Sequence, residues 1–206
     1  MDTIIAVVDG GQRPDPATGV VTIVSGLPRS GTSMMMRMLE AAGLDPLCDG
    51  VRQPDVDNPN GYYELERVKA LVRGDRDWVE DARGRVVKVV SPLLRYLPDD
   101  QQYRVILMHR NMDEVLASQD RMLANRGQPD RVTDDARLAD LFEQDLAQVA
   151  SWAEARPHVS CLQVDYNRLL IEPEDELRRI VEFLDAGLDI EAMAHIVDPA
   201  LYRVRR

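Results

Sequence analysis

Apolar runs of strand length alternate with segments of helical periodicity along most of the chain. "VVTIVS" (20–25), "RVVKVV" (85–90), "YRVILMH" (103–109) and "VSCLQVD" (159–165) are rich in β-branched residues and read as strands. "TIIAVV" (3–8) reads as an edge strand or hairpin partner, and the Gly/Pro-rich "DGGQRPDPATG" (9–19) turns the chain into the next strand. Helical patterns cover 30–42, stopped by Gly43, then 62–73, 113–125 before Gly127, 134–156 before Pro157, and 174–185. Residues 44–60 hold three prolines and several acidic groups, and read as a loop over one end of the sheet. Strands alternating with helices predict an α/β fold with a mostly parallel central sheet flanked by helices. No repeat, low-complexity tract or linker interrupts it, so residues 1–206 are expected to form one domain.

Composition narrows the partners. The 206 residues carry a net charge of −11, which disfavours a broad nucleic-acid-binding face or an anionic membrane surface. Any anionic ligand must then be held by locally concentrated Arg, Lys and backbone N–H groups. Cys48 and Cys161 are far apart and follow no metal-binding spacing, so they read as reduced thiols. "MDTIIAVVDGG" lacks a basic leader region, and no apolar run reaches membrane-spanning length. A cytoplasmic location without membrane association is the expectation; oligomeric state is not legible.

The candidate chemistry begins at "VSGLPRSGTSMMMRML" (24–39). Against the phosphate-loop pattern G-x-x-x-x-G-K-[ST], it offers Gly26, four residues, Gly31, then Thr32 and Ser33. Thr32 stands where the lysine belongs. The setting is still a strand, a glycine-rich turn and a helix, so backbone N–H groups converge at a helix N-terminus, where the dipole favours an anion. Arg29 and the hydroxyls of Thr32 and Ser33 add charge and donors. A kinase or ATPase needs a lysine on the β/γ-phosphates and a hydroxyl on Mg²⁺. A 5′-phosphate group needs less. A second anion motif follows the strand 103–109: Arg110 at the carboxyl end, where open α/β sheets bind ligands, and Ser118 eight residues on.

"GLPRSGTS" and "HRNMDEVLASQ" together resemble the 5′-phosphosulfate loop and the 3′-phosphate motif of the sulfotransferase family, and most of all its bacterial members. The likeness continues through "NPNGYYELE" (58–66), "VVKVVSPLLRYLP" (86–98) and "VDYNRLLIEPEDELRRIVEFLD" (164–185). It implies a three-layer, P-loop-like fold. It also implies transfer of a sulfonate group from 3′-phosphoadenosine 5′-phosphosulfate (PAPS) to a hydroxyl or amine, without a metal. By the same resemblance Arg29, Ser30, Gly31, Thr32 and Ser33 hold the 5′-phosphosulfate, and Arg110 and Ser118 the 3′-phosphate. The late R-K-G-x-x-G motif of cytosolic animal sulfotransferases is missing. The tail "LYRVRR" offers Arg203, Arg205 and Arg206, with Arg203 the chosen substitute; a frayed basic terminus is the competing reading. A phosphotransferase and a catalytically silent nucleotide-binding module are the alternative functions.

Sulfonyl transfer requires in-line geometry, stabilisation of the leaving phosphate and deprotonation of the acceptor. Arg29 serves the second need. Lys88, within the apolar "VVKVV", either meets the sulfonate or acceptor or points outward at a strand edge. Glu64 is the chosen general base; the competing reading makes Gly61 an N-cap and Glu64 the N3 carboxylate of a capping box. His109, at a strand end, is the rival base or else a packing group in the sheet. His158 and His195 need only surface or core roles, and Asp57, just before "NPNGYYE", is a further acidic candidate or a turn residue. Met34, Met35, Met36 and Met38 spread around their helix and mostly fill core. Tyr62 and Tyr63 line an acceptor cleft or staple their helix. Residues 44–61 and 126–134 are the expected acceptor-side loops, and the acceptor is a small molecule or a glycan.

Overall fold

The computed structural model describes residues 19–127 and 134–197. The expected strand at 3–8 and its turn, most of the 126–134 loop, and Arg203, Arg205 and Arg206 lie outside the described residues.

Four parallel strands form the sheet in the order β2–β1–β3–β4. They are β1 (Val20–Gly26), β2 (Val86–Lys88), β3 (Gln102–His109) and β4 (Val159–Asp165). β1 and β3 lie at the centre, with Ile23 opposite Val105 and Gly26 opposite Met108. Burial on both faces is why these two read as nearly continuous apolar runs rather than alternating ones. The β2 ladder is shorter than the apolar run 85–90 suggested. It spans three residues at the sheet edge, although Val89 still donates its N–H to the Val24 carbonyl.

Strand alternation divides the core into two layers. Val24, Ile106, Met108, Leu162 and Val164 face one side. There α1 (Thr32–Ala41), α5 (Tyr166–Ile171), α6 (Pro173–Leu184) and α7 (Ile190–Ile196) cover them, with Met34, Met35, Met36 and Met38 all inside this cluster. Val21, Ile23, Val105 and Leu107 face the other side, under Trp78, Leu94, Val149 and Ala153. That layer includes α2 (Trp78–Asp81), α4 (Asp135–Glu154) and two 3₁₀ helices, Glu66–Arg73 and Ser91–Tyr96. The remaining helix, α3 (Met112–Asn125), leaves the carboxyl end of β3. This is the expected three-layer arrangement. Among the described residues no helix is long and apolar enough to cross a membrane.

The segment expected to be helical from residue 62 differs. Tyr62 to Leu65 is not helical, and the 3₁₀ helix starts at Glu66, with Leu65 as N-cap in an extended conformation. Asp49 Oδ2 accepts the Glu66 N–H at 2.6 Å. A loop carboxylate therefore does the capping that the Gly61–Glu64 pattern suggested, and Glu64 is left outside the helix.

Candidate active site

The loop after β1 is built by close backbone approach. A Cβ on Gly26 would stand 2.6 Å from Ser30 Oγ and 2.7 Å from the Met108 carbonyl. One on Gly31 would stand 2.3 Å from the Tyr166 ring, and Gly31 also has φ +97°. Only glycine satisfies both constraints. Between them Arg29 adopts φ 74°, a left-handed conformation that non-glycine residues hold only under surrounding constraint. Gly31 is the N-cap of α1, with no side-chain cap and no acidic residue in the first turn. The helix N-terminus thus presents its amide dipoles without a competing carboxylate.

A cleft of about 570 Å³ opens over this end of the sheet. Arg29, Gly31, Thr32, Ser33, Arg110, Ser118, Lys88 and Glu64 all line it. The two anion motifs, far apart in sequence, meet directly. Arg29 Nε donates to Ser118 Oγ at 2.9 Å, and Arg110 Nη1 donates to the Arg29 carbonyl at 3.0 Å. Ser118 reaches the site because it lies about two turns into α3, on the face turned back toward the loop. Burial pulls the Arg29 guanidinium pKa down, with the nearby Asp57 charge partly offsetting it. Arginine remains cationic under such shifts.

Arg110 is held on several sides. Its Nε donates to Glu114 Oε2 at 3.0 Å, with the two side chains only 8% and 1% exposed, and its guanidinium lies 4.7 Å from the Tyr166 ring centroid. Asn167 Nδ2 donates to the same Glu114 oxygen at 3.1 Å, and Asn167 Oδ1 accepts the Asn111 N–H at 3.2 Å. Asn111 caps α3 by accepting the Glu114 N–H. Such bracing fixes the fork of the arginine for a planar, directional contact.

Lys88 points inward: Nζ donates to the Tyr62 carbonyl at 2.6 Å and to Ser33 Oγ at 3.0 Å. Burial lowers its pKa to about 8, with Glu64 opposing the shift. The outward, strand-edge reading is overturned. Glu64 stands in the wall of the cleft, 2.6 Å from Arg52 Nη1. Arg52 also lies 3.3 Å over the Tyr62 ring, so this carboxylate is gripped rather than loose. Tyr63, at φ 54°, makes the sharp turn that sends the Tyr62 carbonyl toward Lys88, and its hydroxyl is anchored on Glu40 at 2.5 Å.

Two expected site residues are not brought to the cleft. Ser30 is 1% exposed, with its hydroxyl donating to the Leu27 carbonyl at 2.8 Å and its N–H to the same oxygen at 3.2 Å. Both donors close the loop on itself, and Ser30 does not line the cleft. His109 continues the phase of Val105 and Leu107, half-buried across from Asp165, and does not line the cleft. Burial lowers its pKa, and Asp165 acts in the opposite direction.

Other wall residues carried no signal strong enough to be singled out. Arg52 lies in a loop, and Tyr166 follows the strand 159–165 inside the segment 164–185, where no role was assigned to it. Asn58, whose Nδ2 donates to Ser33 Oγ at 2.9 Å, joins the acceptor-side loop to the phosphate loop.

A family model for the sulfotransferase domain matches residues 21–204. The chain belongs to the sulfotransferase-domain family. Three solved structures show the same fold. The sulfotransferase domain of the Synechococcus PCC 7002 olefin synthase is 18% identical with a TM-score of 0.55, over 94% of this chain and 90% of that one. Sulfotransferase STF1 from Mycobacterium tuberculosis H37Rv is 17% identical with a TM-score of 0.53, over 92% and 74%. Mouse sulfotransferase SULT7A1, complexed with PAP, is 17% identical with a TM-score of 0.53, over 85% of this chain but 62% of that one. No curated relative matches the chain. At these identities the likeness to the solved structures is one of fold.

Proposed function

We propose that the chain transfers a sulfonate group from PAPS to a hydroxyl or amine of an acceptor by in-line displacement. The observation that carries this reading is the contact of Arg29 with Ser118 and of Arg110 with the Arg29 carbonyl in one cleft. Two cradles so joined suit a ligand with two separated anionic ends. The uncapped N-terminus of α1, with Arg29, Thr32 and Ser33, fits the 5′-phosphosulfate. Arg110, braced by Glu114 and Tyr166, fits the 3′-phosphate together with Ser118.

PAPS, as co-substrate, supplies the sulfonate; the protein's residues do the rest. Arg29 and the loop N–H groups stabilise negative charge growing on the leaving 5′-phosphate. Lys88 bridges the phosphate loop and the acceptor side through Ser33 and the Tyr62 carbonyl, which suits it to hold the sulfonate oxygens. Glu64 is the carboxylate in the wall best placed to take the acceptor proton, with Arg52 fixing its direction. A lysine-free phosphate loop serves this donor because no γ-phosphate has to be gripped. The free thiols of Cys48 and Cys161 accord with a reducing, cytoplasmic setting.

Calorimetry with 3′-phosphoadenosine 5′-phosphate (PAP) and with ATP–Mg²⁺ tests the donor. PAP is expected to bind in preference, and the reverse order would return the chain to the phosphotransferases. Transfer of labelled sulfonate from PAPS to an acceptor tests for catalysis; binding of PAP without any transfer would leave a silent module.

A further inference from the structure

Asp55 sits in the loop before the 3₁₀ helix Glu66–Arg73 and does not line the cleft, yet its carboxylate organises that loop. Its Oδ1 accepts the Asp57 N–H at 2.9 Å, the Asn58 N–H at 3.0 Å and the Tyr62 hydroxyl at 2.6 Å. The first two make an Asx turn, closed by the backbones of Asp55 and Asn58, which bond to each other in both directions. The third reaches across the loop to a tyrosine that is only 5% exposed. Hydrogen bonds to an ionised carboxylate are the strong ones, and here one oxygen collects all of these. Burial pushes the Asp55 pKa up, but the Tyr62 hydroxyl and the two N–H groups outweigh it and hold it below the ordinary carboxylate range. Arg126 lies 3.7 Å from Oδ2; both side chains are more than a third exposed, so that pair adds little.

Tyr62 hands this anchoring on to the groups assigned to the transfer. Its carbonyl accepts from Lys88 Nζ at 2.6 Å. Its ring lies 3.3 Å from the Arg52 guanidinium, whose Nη1 is 2.6 Å from Glu64 Oε1. A ring pinned at its hydroxyl holds both its stacked partner and its own backbone in place. The same turn carries the Asn58 amide to Ser33 Oγ and the Asp57 carbonyl to Arg29 Nη2 at 3.3 Å. We propose that Asp55 is a positioning residue, setting the place of Lys88 and the direction of Glu64 through Tyr62. The inference rests on the proposed sulfonyl transfer for what Lys88 and Glu64 do; the coupling itself rests on these contacts alone.

The test is an NMR pH titration of the full chain carrying lysine labelled with ¹³C at Cε. Lys69 and Lys88 are the lysines of the sequence, so each gives its own signal, and Lys88→Met assigns them. Burial lowers the Lys88 pKa to about 8, with Glu64 favouring the charge and Arg52 and Arg29 opposing it. Asp55→Ala and Tyr62→Phe each release the Tyr62 segment and let water reach the ammonium, so the Lys88 pKa is expected to rise by about one unit. Asp55→Asn keeps an acceptor oxygen for the hydroxyl and the turn, and is expected to titrate like wild type. A Lys88 pKa that stays or falls in both Asp55→Ala and Tyr62→Phe overturns the inference. So does an Asp55→Asn protein that shifts as far as Asp55→Ala. Calorimetry of the wild-type protein with PAP keeps the two readings apart. The expected Lys88 shift without PAP binding upholds the coupling and refutes the donor assignment; PAP binding with Lys88 unmoved does the reverse.

Discussion

Lys88→Met should make the protein more stable at neutral pH while removing its activity. Lys88 is a cation held inside the cleft by a hydroxyl and a carbonyl, and burial depresses its pKa from 10.5 to about 8. That gap means that keeping the ammonium charged in the folded state costs about 3 kcal/mol, at roughly 1.4 kcal/mol per tenfold. Methionine keeps an unbranched stem and removes the charge. It also loses hydrogen bonds to Ser33 and Tyr62, each contributing about 1 kcal/mol. Ser33 Oγ, 3.4 Å from the Tyr62 carbonyl, remains there to donate to it. The net expectation is a gain of about 1–2 kcal/mol, a rise in Tm of roughly 2–8 °C for a chain of this size. The sign of the pH dependence follows from the same shift. Between about pH 8 and 10.5 the unfolded chain holds a proton that folded wild type has released, so wild type gains stability as pH rises through that window. The variant's advantage is full below pH 8, shrinks by about 2 kcal/mol by pH 9.5, and is gone or reversed there. Thermal unfolding of both proteins at pH 7 and pH 9.5, followed by circular dichroism, measures it. A destabilised variant at pH 7, or the same Tm difference at both pH values, would refute the burial argument.

Other consequences are as direct. Arg110→Lys cannot keep Glu114, the Arg29 carbonyl and the Tyr166 ring together, so PAP affinity should fall roughly 10- to 100-fold while AMP affinity holds; an unchanged PAP-to-AMP ratio in calorimetry would remove Arg110 from the 3′-phosphate site. Arg29→Gly relieves a left-handed residue and should raise stability by about 1 kcal/mol in urea unfolding, yet weaken PAP binding at least about 10-fold. Gly31→Ala drives a methyl into the Tyr166 ring at positive φ, and should cost roughly 2–4 kcal/mol in the same assay. Glu64→Gln should lower turnover of labelled PAPS by about 100-fold with PAP affinity intact, and full turnover would exclude Glu64 as the base.

The errors in reading the sequence share a physical origin. The helix expected from Tyr62 starts only at Glu66, because Asp49, from another part of the chain, supplies the carboxylate that caps it; the competing capping role for Glu64 falls away, and Glu64 lines the cleft. Ser30 sits inside the right motif, but a tight turn can direct one hydroxyl back to its own backbone while its neighbours face out. His109 was legible as a strand-end residue, but the alternation of β3 decides its side, and that depends on which layer Val105 and Leu107 enter. Tyr166 and Asn167, the braces of Arg110 and its partner Glu114, open α5 directly after β4, and no local pattern links them to a residue over fifty positions earlier.

Local order along the chain was enough to set the parallel α/β architecture, because strands buried on both faces must be apolar throughout and helices between them must be amphipathic. It was enough as well for the phosphate-type loop, whose glycines answer a backbone need present in the segment itself. Which charged groups face one another was decided only by the folded chain. The inward turn of Lys88 and the grip of Arg52 on Glu64 depend on contacts between segments whose separation in sequence carries no record of their distance in space.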